Sequence, residues 1–154
     1  WKSCDNLYFT VPTRTIDTPI IALNSVYTEL INNLFYPTSI ATAQRGDQEL
    51  LSVTVVRDHE LDQKALIETV QQELATSFGI TDTKFLKHYD IPHALPQLND
   101  LQYARDETEA LLTDKVAIAG DHNLNGSLNA AMIAGEAAAK IAHRTLSGAI
   151  MTFG

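Results

Sequence analysis

A single cysteine, Cys4, stands in 154 residues, which excludes an intramolecular disulfide and any cysteine-rich zinc site. Basic residues are scarce as well. Eleven Lys and Arg face nineteen Asp and Glu, for a net charge of −8. A chain that grips nucleic acid through its phosphates carries the opposite sign, and so does one that lies on an anionic membrane. No apolar run approaches the roughly 18 residues that a membrane span needs, and no basic-then-apolar leader opens the chain. Glycine is sparse too. The seven glycines never fall in the spacing Gly-x-Gly-x-x-Gly. These absences predict a protein of a reducing compartment, the cytoplasm, with no nucleic-acid or membrane partner.

What is present is an ordinary globular balance, 45% hydrophobic and 19% charged, long enough for a sizeable core. The first half reads as strands: Asn6 to Val11, a short run from Pro19 to Asn24, and Leu50 to Val56 with three valines. Leu30 to Ile40 is interrupted by Pro37, which makes it an edge strand or two short pieces. Turn chemistry around Gly46 predicts an antiparallel hairpin. Asp62 to Phe78 reads as a helix. Leu66, Ile67, Val70, Leu74 and Phe78 share one face, with Asp62 as N-cap and Gly79 just past the end. Lys84 to Ile91 returns as a strand, and Pro92 to Asn99 reads as an extended loop. Leu101 to Leu112 reads as a helix, Lys115 to Ala119 as a short buried strand, and Ser127 to Leu146 as a long alanine-rich helix. Composition shifts near residue 98, so two parts are expected, 1–97 and 98–154. The fold class is α+β: an antiparallel-rich sheet with a packing helix, then a strand–loop–helix.

One segment has the makings of a site. Residues 115–139 run from a strand into Gly120-Asp121, through a polar loop, and into a helix opened by Gly126-Ser127. The first turn of such a helix offers unpaired N–H donors and the positive end of its dipole. Gly126 removes a Cβ that would block close approach. Asp121 places a carboxylate acceptor at the strand's end, suited to the hydroxyls of a sugar-like chain. The bland alternative is an alanine-rich core helix with a capped start. Ala130, Ala134 and Ala138 form one stripe, with Ala131, Gly135 and Ala139 beside it; if bare, such a face predicts self-association.

Other constellations are weaker. The five histidines, His59, His88, His93, His122 and His143, are scattered and make no helical ligand pair, so no metal site is expected. Asp121, His122 and Ser127 hold the letters of a hydrolase triad but crowd one loop. His122 draws notice only because it lies in the candidate loop. Tyr8, Phe9, Tyr27, Phe35 and Tyr36 either line an apolar chamber or pack in a core. Lys2, Arg14, Arg45 and Arg57 read as isolated, solvated charges.

The stretch GDHNLNGSLNAAMIAGEAAAKIA resembles the C-terminal flavin-binding segment of the FAD-dependent amine oxidase and phytoene desaturase-like superfamily. The matching positions are Gly120-Asp121, Gly126-Ser127, Ala131, Ala134-Gly135 and Ala137-Ala138. Upstream, YDIPHALP from Tyr89 to Pro96 is similar to that family's strand leading into Ala-Leu-Pro. LLSVTVV is similar to its substrate-domain sheet. The resemblance implies that 98–154 completes a Rossmann-like FAD-binding domain and that 1–97 belongs to a substrate domain. It implies that Asp121 accepts from the ribityl or pyrophosphate region, and that Gly120 permits the exit from the strand. The amides near Ser127, Leu128 and Asn129 would face the flavin pyrimidine edge, where the helix dipole stabilises reduced flavin. Ala131 would lie against the ring system.

Three features depart from the family pattern. The N-terminal Gly-x-Gly-x-x-Gly is missing. No cysteine for covalent flavin attachment lies near the site, and a paired aromatic cage is absent. With Trp1 in first place, these departures predict the C-terminal part of a longer flavoenzyme. Its partners would be the missing N-terminal FAD domain and a small-molecule substrate, and it would be inactive alone. The other reading is a stand-alone, non-catalytic module that binds a ligand or a protein.

Overall fold

A computed structural model of the chain describes residues 1–41, 46–56 and 58–148. Arg45 and Arg57, and most of the turn before Gly46, lie outside the described residues. The protein is α+β. The chain divides into two compact units, Ser3–Ala94 and, with Trp1–Lys2, the chain from Leu95 onward.

In the first unit a five-stranded sheet is built from β1 (Lys2–Val11), β2 (Ala22–Leu23), β3 (Ile31–Phe35), β4 (Glu49–Val55) and β5 (Lys84–Leu95). Their order is β2-β3-β4-β1-β5, with β4 antiparallel to both β1 and β3. The expected β3–β4 hairpin is therefore present. Helix α1 (Gln63–Phe78) carries the chain from β4 past β1 to β5.

Strand alternation decides the core. Leu7, Phe9 and Val11 of β1 and Leu51, Val53 and Val55 of β4 are all buried, with Leu7 opposite Val53 and Phe9 opposite Leu51. Ile31 and Leu34 of β3 extend this face despite a register shift between Ile31 and Asn33. Leu66, Val70 and Leu74 of α1 belong to the same cluster. The helix starts where the sequence says it should. The Asp62 carboxylate accepts the Ala65 amide at 2.8 Å. It stops at Gly79, whose φ of 67° is the left-handed conformation that an ordinary side chain resists.

The alternate residues face the other way. Ser52 Oγ donates to Asn6 Oδ1 at 3.1 Å, and Asn6 Nδ2 donates to Tyr8 Oη at 3.1 Å. Tyr8 meets Tyr89 edge to face, with ring centroids 6.0 Å apart. The five aromatics singled out in the sequence thus have separate fates. Phe9 and Tyr36 are core, Tyr8 lies on the opposite face, Phe35 is half-buried and Tyr27 is exposed.

Several expectations are corrected. Pro92 does not end β5, which continues to Leu95. β5 is an edge strand, the place in a sheet where proline is tolerated because one row of amides is unpaired. Pro37 opens a 3-10 turn after β3 instead of interrupting a strand, and β3 is internal because β2 covers its far side. Arg14 is not a solvated charge: it donates to the Thr38 carbonyl at 3.2 Å and lies 3.6 Å from the Glu49 carboxylate.

One carboxylate ties helix to sheet. Glu73 of α1 accepts the Leu30 amide at 2.8 Å and the Ile31 amide at 2.9 Å, where β3 begins. These are charge-assisted bonds to backbone amides at the entry to the strand. Glu73→Ala is expected to cost about 2 kcal/mol by the usual range for hydrogen bonds to charged groups. Urea denaturation checks this; an unchanged midpoint would show that the connection is dispensable.

Candidate functional site

The second unit holds the predicted site. Strand β6 (Leu111–Thr113) pairs antiparallel with β7 (Val116–Ala117), and α2 spans Leu128–Leu146. The helix expected at Leu101 to Leu112 does not form. Leu101 and Ala104 are exposed, so no apolar stripe exists to dock one. A capping box on Asp106 starts only a 3-10 turn, Glu107–Ala110, before β6 begins. Its hydrogen bonds from Thr108 hold the Asp106 carboxyl below the usual carboxylate range. β7 is also shorter than expected, and both its residues are exposed. What ties this hairpin to its surroundings is the Ile118 amide, which donates to the Ala110 carbonyl at 2.7 Å.

The loop after it is a compact hydrogen-bonded turn. Asn123 donates to the Gly120 carbonyl at 3.2 Å, and Leu124 and Gly126 both donate to the Asp121 carbonyl at 3.1 Å. The loop is stitched to an upstream segment: Gln102 donates its amide to the Leu124 carbonyl, and Asn125 Nδ2 donates to the Gln102 carbonyl, each at 3.0 Å. The Ser127 hydroxyl caps α2 by accepting the Ala130 amide at 3.1 Å, and donates to Asn125 Oδ1 at 2.6 Å.

Each predicted residue can now be placed. Gly120 is half-buried, and a Cβ there would lie 2.5 Å from the His122 ring, so the glycine makes room for that imidazole. The Asp121 carboxylate, half-buried, has no hydrogen-bond or ion-pair partner among the described residues. Gly126 has φ of 65°. Leu128 and Asn129 are exposed in the first turn of α2, and Ala131 is half-buried. The alanine stripe is not bare. Ala130, Ala134, Ala137 and Ile141 are buried, and the last two pack with Ala110 of the 3-10 turn. Of the expected stripe, Ala130 and Ala134 are thus interior, Ala138 and the adjoining Ala131 and Gly135 are half-buried, and Ala139 is exposed. Leu128, Met132 and Ile133 are exposed apolar residues in the first turns of α2.

The first unit contains a constellation that sequence reasoning missed. Asp5 of β1 holds two imidazoles, His59 Nε2 at 3.1 Å on one oxygen and His88 Nε2 at 2.6 Å on the other. All three side chains are less than a fifth exposed. His59 Nδ1 accepts the Leu61 amide at 3.3 Å, so its proton sits on Nε2. Around them lies a cavity of about 380 Å³, lined also by Ser3, Asp58, Gln63 and Asp90. His59 and His88 are therefore not the scattered surface histidines that the sequence suggests. No spacing signal could have found them, because they meet only through Asp5, 54 and 83 residues away. Beside Asp5, burial first and the neighbouring carboxylate second push the Cys4 thiol above its ordinary pKa.

Comparisons with known proteins bear on the fold. No family model matches the chain, and no curated protein matches it. Among solved structures it is similar to the PF1083 protein of Pyrococcus furiosus, with a TM-score of 0.61 at 14% identity. The likeness covers 93% of this chain and 32% of that one, so this chain spans about a third of that neighbour's length. At such identity the likeness shows the fold alone. Among the described residues no helix is long and apolar enough to cross a membrane, and no group of His, Cys, Asp and Glu is arranged to hold a metal ion.

Three outcomes test this geometry. Gly126→Ala is expected to cost about 1 kcal/mol through backbone strain alone, since its Cβ would meet only Pro96 at an ordinary 3.5 Å; denaturation curves measure it. Asp5→Ala strands two imidazole N–H groups and is expected to cost about 2 kcal/mol near pH 8; equal stability would mean the cluster holds nothing together. Cys4 is expected to react with iodoacetamide more slowly than a free thiol at pH 8, because its thiolate fraction is lower. Asp5→Asn, which removes the smaller of the two causes, should recover part of that rate.

Proposed function

We propose that this chain is the C-terminal part of a FAD-dependent oxidoreductase resembling amine oxidases and carotenoid desaturases. It would supply one wall of the flavin site. The observation that carries the reading is the Asp121 carboxylate, half-buried at the mouth of a strand–loop–helix and engaged by nothing among the described residues. Support also comes from the start of α2, where the Ser127 cap satisfies Ala130 and the amides of Leu128 and Asn129 have no acceptor within the loop. A carboxylate acceptor beside open amide donors suits a ligand that carries both hydroxyl and carbonyl or phosphate groups.

The residues fit FAD in the following roles. Asp121 would accept from the ribityl or adjacent pyrophosphate region. The Leu128 and Asn129 amides would donate to the pyrimidine edge, and the dipole of α2 would favour the negative charge of reduced flavin there. Gly120 and Gly126 keep the turn tight, the first by making room for His122 and the second through its left-handed backbone. Ala131 keeps the wall of the helix thin. Bound FAD would supply hydride acceptance from a C–N or C–C bond of a small molecule, with later reoxidation by oxygen or another acceptor. The Gly-x-Gly-x-x-Gly half of the site would come from elsewhere in a longer protein, with a cytoplasmic setting.

A second reading rests on the other unit. The cavity around Asp5, His59 and His88 lies wholly within Ser3–Ala94. It suits a stand-alone module that binds a polar small molecule without flavin.

One preparation separates the two. The natural gene product, purified without added cofactor, is expected to show the two-band visible spectrum of oxidised flavin and to release FAD on denaturation. In that protein Asp121→Ala is expected to weaken flavin retention about tenfold, the loss of one net hydrogen bond to a charged group. A colourless product that stays colourless after incubation with FAD overturns the oxidoreductase reading and favours the second.

A further inference from the structure

We draw no further inference here: the strongest candidate, the cavity at the end of the sheet where Asp5 holds His59 and His88 beside Asp58 and Asp90, is a cluster of carboxylates and imidazoles bonded largely to one another, and nothing in the structure shows what would fill it.

Discussion

The pairing of β1 with β4 is the constraint on which the larger unit depends. Asp5 faces Val55, Leu7 faces Val53 and Phe9 faces Leu51, so the inward positions of β1 from Asp5 to Phe9 each meet a valine or leucine of β4. A slip by one residue would send Leu7, Phe9 and Val11 to the opposite face and bring Asn6, Tyr8 and Thr10 beneath α1. That exchange would bury polar groups without partners, which is costly enough to forbid it. With the register fixed, α1 has one apolar surface to cover, and Leu66, Val70 and Leu74 cover it. Glu73 then fastens the same helix to the start of β3.

The register also accounts for the Asp5 cluster. Asp5 continues the inward-facing series of β1 beyond Leu7, at the end of the sheet where the apolar core runs out. β5 lies beside β1, and the segment leading into α1 comes down over the same end. A carboxylate there meets an imidazole from each side. The polar cluster closes the core where no further hydrophobe is available, and in doing so it leaves the cavity lined by Ser3, Asp58 and Gln63.

In the second unit a shorter-range logic holds. Two neighbouring carbonyls, those of Gly120 and Asp121, collect three loop amides, and Ser127 closes the helix start. The turn's own bonds thus fall within a span of eight residues, and among the described residues the side chain of Asp121 has no partner.

Elements set by contacts within a few residues were legible in the sequence. Helix α1 begins at Asp62 and ends at Gly79, and α2 is capped by Ser127, because side-chain caps and a left-handed glycine act within one turn. The valines and leucines of β4 announced themselves by alternation. The expected helix near residue 101 failed for the opposite reason: its spacing looked adequate, yet Leu101 and Ala104 stay exposed, and local propensity without burial does not hold a helix. Tertiary structure alone decided that β5 runs through Pro92, since an edge position is where a strand tolerates proline. It alone brought His59 and His88 to Asp5, because strand order, and no sequence spacing, sets which distant side chains share an end of a sheet.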